Sequence, residues 1–149
     1  MVKVQSEDFD VGAEIANLRR DNPTIGAIAS FIGLVRDVSS GDRVSELTLE
    51  HYPGMTEKAL VKIVDEAKTR WDVLDVLVIH RVGVLQPTDQ IVLVVVAGAH
   101  RGEAFAACEF VMDYLKTHAP FWKKERTADG NRWVEARSSD DAAAERWTR

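Results

Sequence analysis

A chain of 149 residues, 46% hydrophobic and 29% charged, suits one soluble domain with a sizeable core. Its net charge of −5 argues against broad binding to nucleic acid or a membrane surface, which draws on basic residues spread over one face. The opening residues lack the apolar core of a signal peptide, and no apolar run approaches the ~20 residues that span a bilayer, so a cytoplasmic enzyme or binding domain is expected.

In chain order, residues 2–4 read as a short edge strand. Asp10 is placed to cap a helix carrying Val11, Ile15 and Leu18 on one face. Asp21-Asn22-Pro23 closes that helix as a turn. Residues 25–36 are apolar on both alternating faces, which predicts a central strand, and its glycines point to a bulge or a close backbone approach. The loop DVSSGDR leads from Arg36 to a second strand at 44–52, so the pair reads as a hairpin with a mobile tip and Arg36 at its hinge.

A helix from about Met55 to Arg70 follows, with Ala59, Ile63 and Ala67 in line on its apolar face beside Leu60 and Val64. Residues 73–85 form a strand with an irregularity at Gly83, and QPTDQ forms a turn. The run IVLVVVAGA at 91–99 is the most apolar and is expected to be the most buried strand.

The next stretch, His100 to Arg126, organises the rest. Ala104, Cys108, Met112 and Leu115 make one buried helical stripe, and Pro120 ends the helix. Between Tyr114 and Arg126 four basic residues face one acid, Glu125, in a chain that is acidic overall. Asp129-Gly130 then signals a hairpin, and 138–149 is a polar tail apart from Trp147. The count is six or seven strands and three helices. The fold class read from this order is α+β: a mixed sheet with flanking helices, one domain over 1–137 and a tail over 138–149.

Lys116 stands at the border of the apolar stripe near the helix end. Alone, it is a cation favoured by the helix dipole. Lys123 and Lys124 follow beyond a proline turn that can fold them back onto it. Ammonium groups gathered in a partly desolvated pocket ease the loss of a proton from one of them, which suits general acid–base work and the holding of an anion. His100 and Arg101 sit where a strand delivers the chain to a helix N-terminus, a site suited to phosphate or carboxylate. His80-Arg81 lacks a following helix and reads as structural. Cys108, on the apolar stripe, reads as a core thiol and not a nucleophile. A single cysteine permits neither an intrachain disulfide nor a cysteine-rich zinc site, and His118 has no partner at ligand spacing, so no metal and no resident cofactor are expected. Phe121 and Trp122 are core or interface residues. The aromatic-basic texture there also suits single-stranded nucleic acid, but net acidity opposes it. No GxGxxG or P-loop motif follows a strand.

The blocks FIGLVRD, LTLEHYPGMTEKAL, HRVGVL, AGAHRGEAF, MDYLKTHAPFWKKE and RWVEAR, in this order over roughly residues 25–137, resemble the large, catalytic subunit of molybdopterin synthase. The resemblance implies an α/β-hammerhead fold and a step in molybdenum cofactor biosynthesis. In that step, cyclic pyranopterin monophosphate gains a dithiolene. The sulfur comes from the C-terminal thiocarboxylate of a small ubiquitin-like carrier subunit with a Gly-Gly tail. It further implies that Lys116 is the principal catalytic lysine and Lys123 the second. Arg36, His100 and Arg101 become anion-binding residues suited to the substrate phosphate. Phe31, Met112 and Arg137 match other pocket or carrier-tail positions, with Phe121 and Trp122 as further apolar walls. The implied assembly is a heterotetramer built on a homodimer of large subunits, with His100 and Arg101 supplied either in cis or by the neighbouring protomer. A non-catalytic module that binds an acidic or Gly-Gly peptide tail is the alternative. A free-standing enzyme acting on a pterin phosphate is disfavoured, because the chain offers no sulfur source.

Overall fold

The computed structural model describes residues 1–134 and 138–148. Its main sheet has the strand order β1-β6-β8-β2, made by Val2–Gln5 (β1), Val73–Arg81 (β6), Gln90–Gly98 (β8) and Ala27–Leu34 (β2). β1 runs parallel to β6, and the other pairings are antiparallel, so the sheet is mixed as expected. β8 lies inside the sheet and is buried from Val92 to Gly98, in line with its uninterrupted apolar sequence.

Side chains alternate across this sheet and find a different cover on each face. Val76, Val78, Val92, Val94 and Val96 meet two helices, Met55–Arg70 (α2) and Arg101–His118 (α3). Leu77, Ile79, Leu93 and Val95 meet the helix Val11–Arg19 (α1) through Val11, Ile15 and Leu18. The cap on α1 is the expected one, with the Asp10 carboxylate accepting from the Ala13 N–H at 3.0 Å. On α3, Ala104, Cys108, Met112 and Leu115 are all buried, and the helix stops at Ala119, ahead of Pro120.

Two expectations are corrected. β2 is the edge of the main sheet, not a central strand. It is apolar on both faces because helices cover both faces of the sheet, which a sequence pattern cannot tell from burial between two strands. Its glycines behave as expected: the register shifts between Gly33 and Leu34, and a Cβ on Gly26 would stand 2.3 Å from the Ala99 carbonyl oxygen. Nor does β2 form a hairpin with the strand that follows. Glu46–His51 (β5) pairs instead with Gly83–Leu85 (β7) and Phe121–Thr127 (β9), and β9 pairs with Gly130–Val134 (β10) to complete a second sheet. The hinge between the sheets is Gly83, where φ of +93° turns the expected single strand 73–85 into β6 and β7.

The loop after Arg36 is itself paired, as a two-stranded ribbon of Val38–Ser39 (β3) and Asp42–Arg43 (β4). The described residues thus contain ten strands and four helices, more than the sequence pattern suggested, because short ribbons carry little periodicity. The fourth helix, Ser138–Glu145 (α4), comes from the polar tail. Ala144 on α4 is buried, and Trp147 just beyond it sets its ring edge-on to Trp71 and Phe110 at 5.4 and 5.8 Å.

Candidate active site

The end of α3 and the start of β9 are brought together by a turn that a buried threonine holds. Thr56, in the first turn of α2, is fully buried; its hydroxyl donates to the Pro120 carbonyl at 2.9 Å and accepts from the Tyr52 N–H at 2.9 Å. Lys116 in the last turn of α3 and Lys123 in β9 therefore open into one space, a cavity of about 580 Å³ between the two sheets. Arg36 joins them from the end of β2.

Among the other residues singled out in the sequence, Phe31, Met112 and Phe121 line this cavity. Phe31 is 41% exposed despite its place in an apolar strand, and it lines the cavity. Strand alternation divides the aromatic-basic cluster. Lys123 faces the cavity, whereas Lys124 turns to the opposite face of β9 and sets its ammonium 5.5 Å from the Trp133 ring centroid. Trp122, exposed, is not part of the cavity lining, so the expected wall is Phe121 alone of that pair. Arg137 lies outside the described residues.

His100 and Arg101 are exposed at the N-terminal end of α3. Fifteen residues of helix separate Arg101 from Lys116, about 22 Å along the axis. Within one chain, the two groups do not share a pocket.

Three participants escaped the sequence reading. His80, read there as structural, is 4% exposed and lines the cavity. It stands on the same face of β6 as Val76 and Val78, and a histidine continuing an otherwise apolar inward row was the available signal. Its ring lies on Phe121 with centroids 3.8 Å apart and an interplanar angle of 19°. Burial, with the Lys123 and Lys116 charges adding to it, pushes the imidazole down to about 4. Glu125, buried, also lines the cavity and accepts from Arg132 Nε at 3.2 Å. The same guanidinium donates to Asp42 at 2.7 Å and to the Ser39 carbonyl at 3.0 Å, which ties the β3–β4 ribbon to β10. The ribbon expected to be a mobile flap is thus anchored at both of its strands.

The cavity contains no thiol nucleophile. Cys108 packs in the α3 core, and burial pushes its thiol up to about 11, so it stays protonated at neutral pH. The chemistry on offer is that of three cations, a neutral imidazole, the Glu125 and Asp140 carboxylates and apolar walls: anion binding and proton transfer.

The MoaE protein family matches residues 4–118. The molybdopterin synthase catalytic subunit of Ralstonia nicotianae is 68% identical over 98% of this chain and 83% of its own length. A solved MoaE protein from Burkholderia ambifaria superposes with a TM-score of 0.85 at 61% identity, covering 99% of this chain and 97% of that one. The fold also recurs in a protein–protein complex of subunits 1 and 2 of the molybdopterin-converting factor of Helicobacter pylori, with a TM-score of 0.74 at 21% identity over 92% of each chain.

Proposed function

The chain belongs to the MoaE protein family, and from that premise we propose that its cavity is where sulfur is transferred from a carrier to a pterin substrate. The family's activity is that of a molybdopterin synthase catalytic subunit, an enzyme of molybdenum cofactor biosynthesis that transfers sulfur. The observation that carries the reading is the meeting of Lys116, Lys123 and Arg36 in one cavity whose protein supplies no thiolate of its own. A sulfurtransferase built this way receives its sulfur from outside.

The substrate in this reading is cyclic pyranopterin monophosphate. The sulfur arrives as the C-terminal thiocarboxylate of a small ubiquitin-like carrier, whose narrow Gly-Gly tail threads between Phe31, Met112 and Phe121. Lys123 holds the incoming anion, and Lys116, at the exposed end of α3, serves the proton transfers of sulfur insertion. The two-subunit complex of the Helicobacter pylori protein supports a partner subunit for this fold. Arg36 binds the substrate phosphate together with His100 and Arg101. Because these last two lie a helix length away from Lys116 in their own chain, a second copy supplies them, which fits a homodimer at the centre of a heterotetramer. Arg137 completes the substrate contacts. In this reading the assembly is a cytoplasmic biosynthetic enzyme, in the role its relatives are named for. Among the described residues, no helix is long and apolar enough to cross a membrane.

The test is reconstitution with cyclic pyranopterin monophosphate and a thiocarboxylated carrier, followed by detection of the dithiolene product. Product formation supports the reading. Carrier binding without product would return the chain to the class of peptide-tail binding modules.

A further inference from the structure

Beside the Ser39 and Asp140 side chains at its rim, the cavity is lined mainly by cations. Arg36, Lys116 and Lys123 are hydrogen-bond donors only, and Glu125 is taken by Arg132. A substrate rich in ring N–H and O–H groups also needs acceptors. His80 is constructed to be one.

Its Nδ1 lies 2.8 Å from the Arg81 carbonyl oxygen. A carbonyl only accepts, so Nδ1 carries the hydrogen and Nε2 is left with its lone pair. Among the described residues Nε2 has no hydrogen-bond partner, yet no buried side-chain nitrogen or oxygen there is sealed from solvent without one. Nε2 therefore opens into the cavity that His80 lines. The stack on Phe121 fixes the ring plane, and the strand fixes its height, so the direction of the lone pair is set before any ligand arrives.

Resting on the reading of this cavity as the substrate pocket, we propose that His80 is a substrate-orienting residue whose Nε2 accepts a hydrogen bond from a ring N–H or O–H of the pterin-type substrate. The imidazole is too weakly basic in this setting to take the proton outright, which leaves proton transfer to the lysines. Its contribution is to substrate binding and ring orientation.

The experiment combines two variants with a direct view of the ring nitrogens. His80→Asn keeps a short amide N–H for the Arg81 carbonyl but loses the cavity acceptor; His80→Gln extends an amide oxygen to the Nε2 position. Loss of one neutral hydrogen bond predicts a KM for the pterin substrate raised about tenfold in His80→Asn, with kcat changed less and His80→Gln restoring most of the loss. Nitrogen-15 imidazole spectra of the wild-type protein should identify the Nδ1–H tautomer. Its Nε2 resonance should move on adding the substrate alone. Backbone amides of Lys116 and Lys123 report in the same titration whether the substrate enters the cavity. If they move while Nε2 does not, this inference is overturned and the pocket reading stands. If neither moves, both fall. An Nε2–H tautomer in the free protein would also overturn it.

Discussion

The Thr56 hydroxyl and the Pro120 carbonyl, 2.9 Å apart and 64 residues apart in sequence, join the first turn of α2 to the turn between α3 and β9. That bond holds the turn ahead of β9, whose register on β5 places Phe121 and Lys123 relative to Lys116. Replacing Thr56 by Val removes both its donor and its acceptor while keeping its shape. The Pro120 carbonyl and the Tyr52 N–H are then left without this partner, at a cost of about 1–3 kcal/mol. Urea unfolding should register that loss, and Thr56→Ser should recover most of it.

The buried imidazole of His80 ties stability to acid. Its folded-state value, about 4, lies below the ordinary value of 6.5, so the unfolded chain binds the proton more readily. Stability contributed by the neutral ring is complete above pH 6.5 and declines as the pH falls toward 4. The full effect is roughly 3 kcal/mol at one pKa unit per ~1.4 kcal/mol. In unfolding curves taken across that window, His80→Asn should show a shallower acid decline than the wild type. Parallel declines would contradict the assignment.

Much of this arrangement was legible in the sequence, and the limits have physical causes. The α3 stripe, the Asp10 cap and the buried β8 carry strong periodic or capping signals, and all three appear as expected. The proline turn between Lys116 and Lys123 points to one shared site, and the fold brings both to the cavity. Strand alternation then removes Lys124 and Trp122 from it, a separation set by the register of β9 on β5. The partner of β5 is not legible because sequence neighbours are the default pairing, whereas β5 pairs at long range, with Leu47 opposite Leu85 and Thr48 opposite Lys124, in a second sheet. His80 reads as structural in the sequence because no helix follows it; its meaning lies in the cavity above β6.

Arg132 anchors the β3–β4 ribbon through Asp42 and the Ser39 carbonyl while it holds Glu125. Arg132→Ala should free the ribbon and leave the Glu125 carboxylate without this partner. Limited proteolysis near Gly41 should speed up, and sulfur transfer should fall as Arg36 loses its supported loop. Unchanged cleavage would show that the ribbon is held by other means.

Cys108 should be silent chemically. With the thiol held near 11, the thiolate fraction at pH 8 is about a hundredfold below that of a free cysteine. Alkylation of the folded protein should lag that of the urea-unfolded chain by at least that ratio, and Cys108→Ala should retain sulfur transfer. Loss of activity in a folded Cys108→Ala protein would mean that the chain contributes sulfur chemistry of its own.

The central claim is that sulfur insertion depends on the lysine at the end of α3. The most direct measurement is single-turnover formation of the dithiolene product by Lys116→Ala in the reconstituted assembly, with thermal unfolding and carrier binding measured in parallel. Loss of a group that serves proton transfer predicts a fall of about 10²–10⁴-fold in rate. Folding and carrier association should be preserved, because the Lys116 side chain is exposed. Product formation at the wild-type rate by a Lys116→Ala protein would contradict the account.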